Sequence, residues 1–385
     1  MNKLLIAAAG AGKTTYLIER ALEQSKNVLI TTFTIENTES IRQKIIKRKG
    51  YIPKHITIQT WFSFLIQQGA KPYQGSLHAE LFEKNIKGLH FSTEQCGVKY
   101  RNSRYGAVLY NEQTEFMQHY FDKEMRIYSD KLSKFIIKTD KVTKGKVIER
   151  ITEIYPNIYI DEVQDLSGHD LTLLNLLFKS SANILLVGDP RQTTYSTHWE
   201  KTNKKYRYGK IEEYIREKCR KRDKIEIDST TLCNSHRNNL SICNFSHILY
   251  PDFYKATICS CPHCHPNLTH EGIFIIQEKD CLIYYEHYHP IILRYNNKKE
   301  VALKSTILTF GTSKGREFDN VLIFPTEKME QWLISHDNSI FEPTTKAKLY
   351  VAITRAKFSV AFVVTQQTYN TIQNNEYFTK WIMSE

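Results

Sequence analysis

The chain has 385 residues, 41% of them hydrophobic and 24% charged, with a formal net charge of +12. This length suggests two domains, and the composition excludes a disordered or collagen-like chain. The excess of Lys and Arg favours a polyanion partner, although a basic surface that only confers solubility fits equally well. The sequence has no membrane-span or signal-peptide pattern, so we expect no membrane association, a cytoplasmic protein, and cysteines that are thiols or metal ligands.

A glycine-rich segment lies near the start of the chain, between an apolar run and a helical pattern. The run KLLIAAA at residues 3–9 predicts a buried strand, and the periodicity of residues 13–24 predicts a helix. Residues 7–14 match the phosphate-loop pattern, with Ala7 where that pattern has its first glycine. Small residues at a helix N-terminus let backbone N–H groups approach phosphate oxygens. The residues that we assign to nucleotide binding here are Gly10, Ala11, Gly12, Lys13, Thr14 and Thr15.

Two acidic residues supply the groups that a phosphate loop needs for hydrolysis. Lys13 is expected to contact the β- and γ-phosphates of ATP, and Thr14 to bind Mg²⁺. An NTPase of this kind also needs carboxylates at the end of a neighbouring strand. The apolar run at residues 158–160 ends in Asp161 and Glu162. We predict that Asp161 binds the metal and that Glu162 polarises the attacking water.

A third strand pattern, NILLVG at residues 183–188, runs into a polar turn that contains Gln192. An amide at this point can hydrogen-bond a γ-phosphate or the attacking water. We therefore predict that Gln192 senses whether ATP has been cleaved. Asp189 and Pro190, in the same turn, fit an ordinary strand end.

These residues and several further segments resemble the UvrD/Rep-like helicases of superfamily 1. The segments occur in the order that the family has, across almost the whole chain. They depart from it at Phe62 and Gly311, where the family usually has His. The segments that carry the resemblance are the phosphate loop, TFTIENTESIRQKI at 32–45, QTWFSFL at 59–65, IDEVQDLS at 160–167, VGDPRQTTY at 187–195, LCNSHRN at 232–238, TFGTSKGREFDNV at 309–321 and KLYVAITRAK at 348–357.

The resemblance implies an ATPase motor built from two halves of the chain. Arg237 and Arg355 would come from the C-terminal half and stabilise charge on the phosphoryl group when the halves close. It also implies that Glu317 contributes to the nucleotide site and that His236 replaces a Tyr that stacks on adenine. The family has an adenine-reading segment upstream of the phosphate loop, and almost nothing precedes the loop here. We therefore expect relaxed base selectivity, or base contacts from His236 or a partner.

Aromatic and hydroxyl side chains in these segments point to single-stranded nucleic acid. Bases stack on aromatic rings, and hydroxyl groups bind phosphates, although any one aromatic residue fits a core position as well. Trp199 departs from the family, whose stacking Trp would fall at Thr197. The residues that we assign to DNA binding are Thr32, Phe33, Thr60, Tyr195, Trp199 and Thr312.

The order of strand and helix patterns predicts an α/β fold with two RecA-like parallel-sheet domains and a small helical insertion in the first. We predict a first domain over residues 1–200, with the insertion at about 66–150, and a second over 201–385. The basic segment near 200–210 is the expected hinge. The stretch between Arg237 and Thr309 is too short for the large regulatory subdomain of long family members, so we expect a minimal motor.

A Cys/His-rich segment, CSCPHCHPNLTH, occupies residues 259–270. Its soft donors fit a tetrahedral zinc site. A reduced Cys/His-rich loop, or a site shared with a partner chain, fits the segment as well. The predicted zinc ligands are Cys259, Cys261, Cys264 and His265, with His263 and His270 nearby.

Three functions follow from these observations. The preferred one is an ATP-dependent translocase or helicase that moves 3′ to 5′ on single-stranded or partially duplex DNA, as the resemblance implies. The alternative is an ATP-dependent switch that binds nucleic acid and regulates a partner nuclease without processive unwinding, similar to the helicase-like subunit of Gabija-type anti-phage systems. An ATPase that uses no nucleic acid is disfavoured by the aromatic and threonine motifs.

Overall fold

The computed structural model describes residues 2–92, 94–102, 106–194, 202–220, 223, 225–261, 263–266, 268–298, 301, 303, 305–372, 374 and 376–382. The chain divides into two compact units. The first comprises residues 1–5, 14–190 and 195–228, and the second comprises 6–13, 191–194 and 229–385. The phosphate loop and the turn around Gln192 therefore belong with the second unit. The domain limits drawn from the sequence stay a prediction.

The first unit combines a main sheet with an insertion that follows the third strand. Its strands and helices are, in chain order, β1 (Asn2–Ile6), α1 (Lys13–Leu22), β2 (Val28–Thr32), α2 (Ile35–Lys49), β3 (Ile56–Thr60), α3 (Trp61–Phe64), α4 (Glu80–Glu83), β4 (Gly88–His90), β5 (Val98–Asn102), β6 (Gly106–Leu109), α5 (Phe116–Tyr120), β7 (Arg126–Tyr128), α6 (Leu132–Val142), α7 (Lys146–Ile154), β8 (Asn157–Ile160), α8 (His169–Phe178), β9 (Asn183–Gly188), α9 (Ile211–Lys218) and β10 (Ile225–Asp228).

The main sheet of the first unit has six parallel strands in the order β10-β1-β9-β8-β2-β3. Its central strands are apolar on both faces, as in VLI of β2 and LLV of β9, because helices cover the two sides of a parallel sheet. Parallel strands end at one edge, and Asp161 follows β8 there. The segments after β2 and β3 continue the same edge, where open α/β sheets bind ligands.

The insertion between α3 and β8 contains α4 to α7, as the sequence predicts, and also two short ladders. Strands β4 and β7 pair in parallel, and β5 and β6 form an antiparallel pair. The β5 and β6 segments, VKYRN and GAVL, contain β-branched and aromatic residues that favour strands over helix. The predicted small helical insertion is therefore a mixed one.

The second unit is built on another sheet of six parallel strands, in the order β15-β14-β16-β17-β13-β18. Its strands and helices are β11 (Asn234–Ser235), α10 (Leu240–Leu249), β12 (Thr257–Ile258), β13 (Gly272–Gln277), α11 (Cys281–Tyr288), β14 (Ile291–Arg294), β15 (Ile307–Thr309), β16 (Phe318–Phe324), α12 (Glu327–Ser335), α13 (Pro343–Ile353), β17 (Ala356–Val364), α14 (Gln366–Thr371) and β18 (Thr379–Lys380).

Strand β17 shows how that sheet builds a core on each of its faces. Val360 and Phe362 pack into one cluster with Phe245 of α10, whereas Ala361 and Val363 pack into a second cluster. This alternation is the two-residue period of a strand. The two six-stranded parallel sheets confirm the predicted fold class. Among the described residues, the structure has no helix long and apolar enough to cross a membrane.

A buried polar network joins the start of α3 to α6 and α8. The Trp61 indole donates from Nε1 to Asp170 Oδ1 at 3.0 Å, and the Ser133 hydroxyl also hydrogen-bonds this carboxylate. Asp170 is 0% exposed. A buried carboxylate with such partners orders the elements that supply them, because each partner would otherwise be buried without a hydrogen bond.

We predict that Asp170→Ala lowers the free energy of unfolding by about 2–4 kcal/mol, because it leaves buried donors unsatisfied. Urea denaturation followed by tryptophan fluorescence measures the change. Asp319→Ala is the matched control, since Asp319 forms an exposed ion pair with Lys357 at 3.1 Å, and its loss should cost less than about 1 kcal/mol. Equal losses in the two variants would contradict the proposed role of the network.

Candidate nucleotide and nucleic-acid site

The phosphate loop joins β1 to α1 and needs glycine at a close approach. Gly10 has φ of +74° and Gly12 has φ of +83°, a region that glycine enters without steric cost. A Cβ on Gly10 would lie 2.6 Å from Ser235 Oγ and 2.7 Å from Arg237 Cβ. The loop backbone therefore packs directly against residues 235–237.

Lys13 folds back onto the loop that precedes it. Its ammonium group donates to the carbonyl oxygens of Ala7 at 3.0 Å and Ala8 at 2.8 Å, and the residue is 8% exposed. Ala11 is buried in the loop and Thr15 is half-buried in the first turn of α1. The N-terminus of α1 favours an anion through its backbone N–H groups and dipole. The geometry fits the predicted phosphate site.

The two residues predicted to bind Mg²⁺ are in direct contact, although 147 positions separate them in the chain. The Thr14 hydroxyl donates to Asp161 Oδ2 at 2.7 Å. Asp161 follows β8, and its backbone N–H donates to the carbonyl oxygen of Thr31 at 2.8 Å, so the neighbouring strand holds it. Hydroxyl and carboxylate oxygens are hard ligands of the kind that Mg²⁺ prefers. These residues fit a magnesium ion between loop and strand.

Glu162 adopts a backbone conformation that is uncommon for its residue type. Its φ of +58° lies in the left-handed region, which costs a residue with a Cβ roughly 1–2 kcal/mol. Its carboxylate hydrogen-bonds the side-chain amide of Gln164, and Gln164 Oε1 accepts the backbone N–H of Asp189 at 3.0 Å. Gln164 therefore orients the predicted catalytic carboxylate and ties it to the end of β9.

Gln192 and Arg355 come together within the second unit. Arg355 Nη2 donates to Gln192 Oε1 at 3.2 Å, across 163 positions of sequence. The guanidinium also donates to the carbonyl oxygens of Val351 at 3.1 Å and Arg316 at 3.2 Å, and the residue is 2% exposed. The fixed geometry of these donors holds the guanidinium in one orientation.

Arg237 lies beside the same segment. Its guanidinium pairs with Glu317 Oε1 at 2.6 Å and donates to the carbonyl oxygen of Thr354 at 3.4 Å. Asn238 donates to the same carbonyl oxygen at 3.1 Å. Both arginines therefore contact the turn at Thr354 and Arg355. The ion pair is partly exposed and adds little stability, so its main effect is to orient Arg237.

An open groove of about 500 Å³ in the first unit collects aromatic, hydroxyl and basic side chains. The rings of Phe33 and Phe62 lie 5.1 Å apart, and those of Phe62 and Phe91 lie 6.1 Å apart. Phe91, from the insertion, is 55% exposed. Single-stranded nucleic acid needs this combination of stacking surfaces and phosphate-binding groups. The remaining polar side chains of the lining come from Thr34, Thr60, Ser63, Gln67, Lys71 and Lys87.

The groove includes two residues predicted to bind DNA and adds others. Phe33 and Thr60 line it, whereas Phe91, Lys71 and Lys87 come from the insertion, which offered no motif to identify them. The Thr60 hydroxyl also caps α3 by accepting the backbone N–H of Ser63 at 3.2 Å.

The other residues predicted to bind DNA lie in different settings. Thr32 is buried, and its hydroxyl accepts from Asn37 at 3.4 Å. Thr312 is exposed and exchanges hydrogen bonds with Thr309. Tyr195 and Trp199 lie outside the described residues. Part of the predicted hinge near 200–210 does so as well.

Two cysteines of the Cys/His-rich segment lie close to His236, which is distant from them in the sequence. Ligand atoms of His236, Cys259 and Cys264 all lie within 4.8 Å of one another. His265 instead donates from Nε2 to the carbonyl oxygen of Ser235 at 3.0 Å. His270 stacks on Tyr288, with ring centroids 3.6 Å apart, and burial lowers its pKa to about 4.

A phosphate-loop pattern between a strand and a helix, whose threonine contacts an aspartate at a strand end, is typical of the P-loop NTPase class. Residues 65–203 match the family described as UvrD/REP helicase N-terminal domain. Residues 145–364, more than half of the chain, match the viral superfamily 1 RNA helicase core domain. The chain therefore belongs to the superfamily 1 helicases, a superfamily of NTP-dependent nucleic-acid helicases and translocases, and its first half resembles the UvrD/Rep-like members.

Solved helicase structures resemble the chain at low identity. An Arterivirus nonstructural protein 10 helicase has a TM-score of 0.47 at 13% identity, with 97% of this chain and 62% of that chain covered. The complex of an Arterivirus nonstructural protein 10 helicase with DNA has a TM-score of 0.47 at 13% identity, and the match covers 96% of this chain and 63% of that chain. The PRRSV helicase has a TM-score of 0.42 at 14% identity, and the match covers 94% of this chain and 52% of that chain. This chain thus spans less than two thirds of the length of these helicases. A search of curated proteins finds no match.

We predict that Gly10→Ala abolishes ATP binding, because its Cβ would overlap Ser235 and Arg237 in addition to straining the backbone. Gly50→Ala is the control, since Gly50 has a similar φ of +81° and no atom lies within 4 Å of the place that its Cβ would take. Each variant should lose roughly 1–2 kcal/mol of stability from strain, but Gly50→Ala should bind a fluorescent ATP analogue normally. Normal binding by Gly10→Ala would contradict the close approach.

Proposed function

We propose that this protein is an ATP-dependent translocase or helicase that moves 3′ to 5′ along single-stranded DNA. The observation that carries the proposal is the contact between Arg355 and Gln192 at 3.2 Å. A nucleotide-binding protein needs only the phosphate loop, whereas a motor also needs groups that respond to the γ-phosphate. Arg355, from the last motif, and Gln192, in the turn after β9, form such a pair.

The proposed hydrolysis uses residues whose contacts support these roles. Lys13 would bind the β- and γ-phosphates, and Thr14 and Asp161 would hold Mg²⁺, which neutralises charge on the phosphates. Glu162, oriented by Gln164, would polarise the attacking water. Gln192, Arg237 and Arg355 would contact the γ-phosphate and stabilise the charge that develops on it.

The aromatic groove supports a single-stranded nucleic acid as the track. Phe91 offers an exposed ring for bases, with the largely buried rings of Phe33 and Phe62 beneath it, and Lys71 and Lys87 offer charges for phosphates. The formal charge of +12 favours the same partner. DNA and the 3′ to 5′ direction come from the resemblance to UvrD/Rep helicases.

We predict that Lys13→Ala and Glu162→Gln abolish ATP hydrolysis, while Glu162→Gln still binds ATP because its phosphate loop is intact. Arg355→Ala should slow hydrolysis by about 10³–10⁵-fold, the usual contribution of an arginine finger. Arg216→Ala is the control, because Arg216 is exposed and pairs with Glu212 on α9. Phosphate release measures each rate with saturating single-stranded DNA. A near-native rate for Arg355→Ala would exclude it from the phosphate site.

The track and the direction need a separate measurement. We expect single-stranded DNA to stimulate hydrolysis and the protein to displace a strand from a duplex with a 3′ overhang but not a 5′ overhang. Matched RNA substrates test the choice of DNA. Strong stimulation without displacement would favour the switch that regulates a partner nuclease. Hydrolysis that ignores every polynucleotide would refute both functions.

We predict that Phe91→Ala weakens binding of single-stranded DNA by about 1–3 kcal/mol, roughly 5- to 150-fold in Kd, through the loss of one stacking surface. Phe82→Ala is the control, since Phe82 is also exposed, at 77%, on α4 of the same insertion. Fluorescence anisotropy with a labelled oligonucleotide measures both. Equal affinities for the two variants would remove the groove from the proposed track.

A further inference from the structure

A short ladder brings His236 beside the Cys/His-rich segment. Strands β11 and β12 pair in parallel, with Asn234 opposite Thr257 and Ser235 opposite Ile258. The next residue after each strand is therefore His236 on one and Cys259 on the other. The backbone N–H of Cys259 donates to the carbonyl oxygen of Ser235 at 3.1 Å, which extends the pairing to this point.

A turn then returns two more cysteines to the same place. The backbone N–H of Cys264 donates to the carbonyl oxygen of Cys261 at 3.1 Å, which closes the turn. The Cys264 thiol contacts those of Cys259 and Cys261 and lies 3.9 Å from His236 Nδ1. The sulfur atoms of Cys259 and Cys264 and the imidazole of His236 thus meet at the end of the ladder, and Cys261 adjoins this group through Cys264.

We propose that His236, Cys259, Cys261 and Cys264 bind one zinc ion as a Cys₃His site, with His236 as the nitrogen ligand instead of the predicted His265. Zn–S bonds near 2.3 Å and Zn–N bonds near 2.0 Å put tetrahedral ligand atoms about 3.6–3.8 Å apart. The ligand atoms of His236, Cys259 and Cys264 already lie within 4.8 Å of one another. The Cys261 thiol contacts Cys264 and would turn toward the other two ligands to complete the site.

The surroundings remove one competing histidine from the group. His265 uses its Nε2 on the carbonyl oxygen of Ser235, at 3.0 Å. With His265 engaged there, His236 Nδ1, 3.9 Å from the Cys264 sulfur, is the nitrogen ligand that the geometry offers.

The site is coupled to the phosphate loop through its histidine. The backbone N–H of His236 donates to the carbonyl oxygen of Gly10 at 2.8 Å. A Cβ on Gly12 would lie 3.7 Å from His236 Cδ2, so the imidazole ring also borders the second glycine. A zinc ion on His236 would therefore fix the segment against which the phosphate loop packs. This part of the inference rests on the proposed nucleotide site, whereas the zinc site itself does not.

Metal content tests the site without any activity. Protein purified with a phosphine reductant should carry about one zinc per chain by mass spectrometry of the metals. Chelated wild-type protein should then bind Co²⁺ with the visible spectrum of a tetrahedral thiolate site, which does not depend on any variant folding. Cys259→Ser, Cys264→Ser and His236→Asn should each lower Co²⁺ affinity by more than about tenfold. His265→Asn and Cys219→Ser are the controls and should bind normally.

Several results would overturn the site. They are the absence of zinc together with no Co²⁺ binding by the reduced protein, iron in place of zinc, or normal binding by Cys259→Ser and Cys264→Ser. Loss of metal in His265→Asn but not in His236→Asn would overturn the choice of histidine.

The coupling to the loop has its own measurement. Chelated wild-type protein should bind a fluorescent ATP analogue more weakly, and added Zn²⁺ should restore the affinity. Equal affinity with and without zinc, in a protein that binds both ligands, would overturn the coupling. A protein that binds zinc and no nucleotide would instead refute the proposed function and leave the metal site standing.

Discussion

The arrangement of the nucleotide site depends on the missing side chain of Gly10. The loop carbonyl and Cα reach the backbone of residues 235–237 only because no Cβ stands between them. From there, Arg237 reaches the carbonyl oxygen of Thr354, and the next residue, Arg355, reaches Gln192. A series of short contacts thus links the phosphate loop to the glutamine turn. Arg237 and Arg355 are the two hydrogen-bond donors in this series.

A single ladder links the predicted metal carboxylate to the aromatic groove. The N–H of Asp161 bonds the carbonyl oxygen of Thr31 in β2, and Phe33 follows that strand directly. A shift of β2 along β8 would therefore break this hydrogen bond and displace Phe33 relative to Asp161. It would also break the other backbone hydrogen bonds between the two strands. The predicted metal carboxylate and the aromatic groove therefore lie along the same edge of one sheet.

The family and the fold class could be predicted from the sequence, because both are recognisable from local sequence patterns. The phosphate loop and the acidic pair at 161–162 each stand within one strand and turn, so apolar periodicity and residue type identify them. Gln164 and Phe91 could not be predicted, for a physical reason. The function of Gln164 depends on a bond to Asp189, and Phe91 lies in an insertion without a motif.

The grouping of the cysteines was only partly accessible from the sequence. Spacing identified Cys259, Cys261 and Cys264, but the nearby histidine comes from a segment more than twenty residues earlier. The two-residue ladder that brings His236 there is too short to leave a periodic signal.

The two hydrogen bonds of the Gln164 side chain restrict which residues can replace it during evolution. An amide has a donor end and an acceptor end, and here the nitrogen serves the carboxylate of Glu162 while the oxygen serves the N–H of Asp189. A glutamate at this position would keep the acceptor but set a second negative charge against Glu162, and a methionine would offer neither end. We therefore expect homologous proteins to differ in the residues of the surrounding helices more often than at position 164.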